Sequence, residues 1–176
     1  MMTRFQSSGA VACAVLVAFV GFGLTPGGAS PVRAETISWR HVHALDRDEP
    51  DGSYIRRGVA MFHFGNHLPV PATLELRGRL GLWEQGWQTF TTQWTYRFDD
   101  GSIVRARLDG RQQRDPATNT PGPQEGAGEF ISGTGRFEGI RGTFSMKGQG
   151  GLSAATPGVL ADVFGDLTGN YTLPAR

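Results

Sequence analysis

The sequence reads as an all-β chain closed into an eight-stranded antiparallel β-barrel. Three observations carry that reading. Apolar and polar residues alternate with period two in segment after segment, clusters of Gly, Pro, Asp and Ser separate the segments, and residues 35–176 carry no apolar stripe at 3.6-residue spacing. About eight such segments can be counted, a number that closes a barrel wide enough for side chains or one small ligand.

Residues 1–34 are expected to be a secretory signal peptide. Arg4 supplies a positive start, Val11 to Leu24 is apolar apart from Gly21 and Gly23, and Val32-Arg33-Ala34 fits the small-x-small cleavage rule, with a second candidate cut after Ala29. The apolar run falls short of the ~20 residues a membrane helix needs. Cys13 sits near the start of the run, whereas a lipidated cysteine would follow it. The chain is therefore expected to be secreted or periplasmic, with residues 35–176 forming one domain.

Cys13 is the only cysteine, so the exported part has no disulfide framework and no thiolate for a metal or a nucleophile. Loss of Arg4 and Arg33 leaves 15 basic against 16 acidic side chains. This near-neutral balance gives no basic footprint for nucleic acid and no attraction to an anionic membrane.

Within the exported part, Ile37 to Leu45 and Ile55 to Phe64 read as strands joined by the polar run Asp46 to Ser53. Leu74, Leu76, Leu80 and Leu82 alternate with Glu75, Arg77 and Arg79. Gly78 fills the inward slot between them, as a glycine does at a bend or a close backbone approach. Phe90, Trp94, Tyr96 and Phe98 share one face opposite Thr91, Gln93, Thr95 and Arg97. Asp99 to Ser102 signals a turn, and Val104, Ala106 and Leu108 continue the alternation to complete a hairpin. Gln112 to Ala127 is rich in Pro and Gly with no apolar anchor, and is expected to be a flexible loop. Val159 to Phe164 and Leu167 to Leu173 read as a last strand pair turning at Gly165-Asp166.

The glycine-rich stretch from Phe130 to Gly151 raises a choice between a phosphate-binding loop and a barrel corner. Gly133-x-Gly135-x-x-x-Gly139 superficially matches a dinucleotide loop, but such a loop works by opening a helix whose free N–H groups meet the pyrophosphate. Here Ile140, Gly142, Phe144 and Met146 alternate with Arg141, Thr143, Ser145 and Lys147, which is a strand pattern. P-loop spacing is absent as well. Phe137 falls out of phase with Phe130 and Ile140, so one residue must be absorbed, and Glu138-Gly139 can supply the bulge or tight turn.

Gly133-Thr134-Gly135-Arg136-Phe137-Glu138-Gly139-Ile140-Arg141-Gly142, within residues 130–146, resembles the signature of the allene oxide cyclase barrels: Gly-[Ser/Thr]-Gly, an aromatic two residues on, then Glu-Gly-aliphatic-x-Gly. It is also similar to the Gly-Thr-Gly-x-Phe and following Arg-Gly of the dirigent proteins. The resemblance implies an eight-stranded antiparallel barrel, often a trimer, with a cavity for an apolar molecule. Some such proteins cyclise an unsaturated substrate; others steer a coupling reaction. The motif is chiefly structural in that family, and the polar residues credited with cyclisation have no match here.

Three sets of side chains are candidates for chemistry. Trp39, Phe90, Trp94, Tyr96, Phe144 and Met146 can line a pocket for a small apolar ligand or fill a core. His41 and His43 share a strand face with Trp39, and His63 on the next strand makes a possible third metal ligand. Glu129 and Glu138 flank the glycine motif and, with Glu75, are acid/base candidates if barrel burial raises their pKa. No Ser-His-Asp set has readable spacing, and no cofactor is expected. The leading expectation is an exported barrel that binds a small apolar molecule or acts as a non-catalytic scaffold. An isomerase of the cyclase type and a histidine-based metal binder are the alternatives.

Overall fold

The computed structural model describes residues 33–114, 121–150 and 162–174. The expected signal peptide lies outside them, apart from Arg33 and Ala34. Eight antiparallel strands follow one another around a closed barrel: β1 (Arg33–Asp48), β2 (Ser53–Phe64), β3 (Val70–Glu84), β4 (Trp87–Phe98), β5 (Ile103–Arg114), β6 (Pro121–Thr134), β7 (Arg141–Gly150) and β8 (Asp162–Leu173). β8 closes the cylinder on β1, with His41 opposite Gly165 and Glu35 opposite Tyr171. Each strand pairs on both sides, so no edge is left to recruit another chain.

The period-two pattern sets which residues enter the barrel. In β4, Gln88, Phe90, Thr92, Trp94, Tyr96 and Phe98 are buried, while the residues between them are exposed or half-buried. In β2 the same phase buries Tyr54, Arg56, Ala60, Phe62 and Phe64. In β3 the alternation breaks after Leu80, where the register with β4 shifts, and Leu82 ends 74% exposed instead of facing in.

Two sequence expectations are corrected. The loop expected over 112–127 is largely strand: β5 runs to Arg114, β6 starts at Pro121, and Gly126 pairs with both Gly110 and Met146. The turn expected at Gly165-Asp166 is also strand. β8 continues through it, with Gly165 between His41 on one side and Gly148 on the other. A glycine inside these strands makes room for a close neighbour and does not mark a turn; at Gly126 the neighbours are Leu108 and the β5 backbone, and at Gly78, Gly128 and Gly165 they include a ring. A Cβ at Gly165 would sit 2.5 Å from His41 Nε2, and one at Gly128 would sit 2.4 Å from Phe144 Cζ. One at Gly78 would meet the Tyr54 ring at 2.4 Å, which is the close approach expected there. Residues 159–161 of the expected final pair lie outside the described residues.

The glycine corner is architectural. Gly135–Phe137 forms one short 3-10 turn, and Gly135 and Gly139 adopt φ of 61° and 75°, left-handed values that a side chain would resist. The turn carries Phe137 into the barrel, where its ring lies 4.8 Å from Phe98 and 5.4 Å from Phe64. Strand β7 then begins at Arg141, as the alternation predicts.

Candidate functional site

The interior divides along the barrel axis. In one half, rings pack against rings. Trp39 stacks on Phe62 at 5.3 Å and meets Phe144 edge-on at 5.0 Å, and Phe130 and Phe144 lie 5.3 Å apart. Trp39 Nε1 donates to the Tyr96 hydroxyl at 2.9 Å, which satisfies the two buried polar atoms of this cluster together. The end where β1 begins and β8 finishes is closed by Phe64, Phe98, Phe137 and Tyr171, and there the Tyr171 hydroxyl donates to the Glu35 carboxylate at 2.5 Å.

Trp39, Phe90, Trp94, Tyr96, Phe144 and Met146, the expected pocket lining, are all buried and point inward. They pack together with the other buried apolar side chains of the barrel. A small interior cavity of about 20 Å³ lies at the opposite end, far below the roughly 300 Å³ at which small-molecule pockets begin. All six belong to the packed core, and Phe90, Trp94 and Met146 also border this small cavity. Rings on some strands and inward glycines on their neighbours complement each other in volume.

At the opposite end the interior turns polar. His43, Arg56, Gln88, Thr92, Gln112 and Gln124 are buried there. Three glutamines from three strands form a relay: Gln124 Nε2 donates to Gln112 Oε1 at 3.1 Å, and Gln112 Nε2 donates to Gln88 Oε1 at 3.2 Å. Gln88 Nε2 then donates to the Gly81 carbonyl at 3.4 Å, and Thr92 Oγ1 donates to the Arg77 carbonyl at 3.2 Å. The Arg56 guanidinium lies over the Tyr54 ring, 4.9 Å from its centroid.

His41 and His43 sit where the two halves meet, with ring centroids 5.0 Å apart. Burial away from water lowers the His41 pKa from 6.5 to about 4, against a weaker upward pull from Asp166. Burial also lowers His43 well below its usual value, helped by His41 and Arg56. Both imidazoles are thus neutral near pH 7. Burial raises the Tyr96 hydroxyl well above its usual value, so it too stays protonated. His63 faces away from the other two, on the exposed side of β2, so the expected three-histidine cluster does not assemble. Among the described residues, no group of three metal-ligating side chains comes together.

The acid/base candidates are also corrected. Glu129 and Glu138 are exposed on the outside of the barrel. Glu75 faces outward between Arg77 at 3.1 Å and Arg57 at 3.7 Å. Each falls on the outward phase of its strand or at a turn, away from the barrel interior. Sequence reasoning missed Arg56, Gln88, Gln112 and Gln124, all on the inward phase. Counting in twos from Phe62 or Phe90 would have found the first two.

The roomier space is on the outside. A shallow groove of about 510 Å³ crosses β1 to β4, built on Val42, Val59, Met61 and Pro71 and bounded by Arg40 and Arg97. Val42, Val59 and Thr73 stand in register across three strands, and Met61 and Pro71 form the next row. Val59 is 61% exposed, unusual for a valine within a strand. Arg40 is held at the rim by Asp166 at 2.7 Å and lies over the Phe164 ring at 4.7 Å, which extends the apolar strip onto β8.

No protein-family model and no curated sequence matches this chain. The fold itself defines the class: a closed, all-antiparallel, eight-stranded barrel with consecutive strand order.

Proposed function

We propose that this chain is an exported, non-catalytic barrel that binds a small apolar molecule on its outer face, with the packed interior serving as a rigid support. One observation carries the reading: the interior is filled with rings, while the accessible apolar space is the groove over β1–β4. Contiguous exposed apolar surface on a soluble protein marks a binding site more often than chance exposure does. Turnover of the cyclase type would need a buried acid or base beside a substrate cavity. Among the described residues, the buried polar set contains no carboxylate.

The test is binding of the apolar fluorophore N-phenyl-1-naphthylamine to the exported form. Saturable binding should be lost in Val59→Asp, which places a charge in the groove. It should survive in Leu82→Asp, which does the same at an exposed apolar position elsewhere. Equal binding in Val59→Asp and wild type, or no saturable binding at all, would overturn the reading.

A further inference from the structure

We infer that the ligand of the outer groove carries an acidic group beside its apolar body, and that Arg97 and Arg105 hold that group; this rests on the outer groove being the binding site. Four outward residues stand in one row across the barrel wall: Val42 opposite Val59, Val59 opposite Thr73, and Thr73 opposite Arg97. The row passes from apolar to cationic over three strand spacings, about 14 Å. Met61 and Pro71 continue the apolar floor beside it. At about 510 Å³ the groove is in the size range that takes one small molecule.

The two arginines that bound the groove differ. Arg40 donates twice to Asp166, at 2.7 and 3.2 Å, so its charge is already answered. Arg97 is exposed, and among the described residues no hydrogen bond or ion pair engages it. Arg105 on β5 is in the same condition. The ladder sets Arg97 opposite Ile103 and Thr95 opposite Arg105, so the two arginines are diagonal neighbours on the outer face. Such residues lie roughly 7–8 Å apart, within reach of long side chains. One anionic group between them can therefore meet both guanidiniums. A guanidinium pairs its N–H groups with the oxygens of a carboxylate, sulfonate or phosphate. Asp99 is the one carboxylate among the groove's lining residues. It follows β4 on the side of Arg97 away from Arg105, and the two arginines outnumber it.

Two fluorophores that differ by one acidic group provide the test: neutral N-phenyl-1-naphthylamine and 8-anilino-1-naphthalenesulfonate. Both should bind the exported form saturably and compete for one site. The sulfonate should bind about tenfold tighter, as one hydrogen bond to a charged group gives. Added salt should erode that advantage. Arg97→Gln and Arg105→Gln should each reduce it and leave the affinity for the neutral probe unchanged. Arg77→Gln, which removes an outward arginine already bonded to Glu75, should change neither affinity. Arg77, Arg97 and Arg105 are exposed, so none of these changes disturbs the packed interior. Asp99→Asn should tighten binding of the sulfonate alone. Equal affinities for the two probes in the wild type would overturn the inference and leave the groove a purely apolar site. A sulfonate advantage that persists in both arginine variants would do the same to the role of Arg97 and Arg105. Failure of the neutral probe to bind would overturn the groove as the binding site, and this inference with it.

Discussion

Around Trp39 the barrel interior sets rings against rings and glycines; around Gln112 it sets amides against amides. Both regions use the same inward phase of the same strands, and both are buried. In the aromatic half, stability comes from apolar area and close fit, and its polar atoms are few and matched, as in the Trp39–Tyr96 bond. In the polar half, burial is tolerated because each glutamine passes its hydrogen bond to the next. The cost appears as a small void and the unmet atoms Trp94 Nε1 and His43 Nδ1. The aromatic half takes its order from close fit, and the polar half takes it from a chain of hydrogen bonds.

The largest effect should come from emptying the aromatic half. Phe144 touches Trp39, Trp94 and Phe130, and Phe144→Ala should cost about 3–5 kcal/mol in chemical denaturation. A loss below about 1 kcal/mol would mean that the rings are loosely packed.

Next comes acid sensitivity, which belongs to the boundary between the halves. His41 is neutral in the folded protein and titrates near 6.5 when unfolded, so the unfolded chain binds more protons below that pH. Stability is full above pH 6.5 and falls as pH drops toward 4. The loss from His41 alone is on the order of 3 kcal/mol, and His43 adds to it. Denaturation curves from pH 7 to pH 4 should show this slope, and His41→Gln should flatten it. An unchanged slope in the variant would place the acid sensitivity elsewhere.

The smallest effect should come from overfilling. A Cβ at Gly128 would sit 2.3 Å from the Arg107 carbonyl oxygen as well as against Phe144. Gly128→Ala should therefore cost about 1–3 kcal/mol, although alanine replaces glycine in an ordinary strand at a gain. A stabilised Gly128→Ala protein would contradict the ring-against-glycine account.

The strand phase was legible in the sequence because burial on one face of a pleated strand forces alternation. β4 and β7 carry that signal without interruption. The glycine corner was legible too, since Phe137 is visibly out of step with Ile140. The length of β6 and the continuity of β8 were hidden. Gly126, Gly128 and Gly165 have the composition of turns, and only the barrel shows what occupies their missing side chains: Leu108 and the β5 backbone at Gly126, the Phe144 ring at Gly128 and the His41 ring at Gly165. The polar end was hidden for a related reason. Arg56 and Gln112 are residues expected in water, and they enter the barrel because they share a phase with Phe62 and Leu108.

The central claim, that rings fill the aromatic half completely, is tested most directly by offering that half a small guest. Benzene, followed by nuclear Overhauser contacts to the Trp39 indole protons, should give none in the wild type. It should give clear contacts in Phe144→Ala, whose new apolar cavity can hold it. Contacts of equal strength in the wild type would show an open interior and contradict the account.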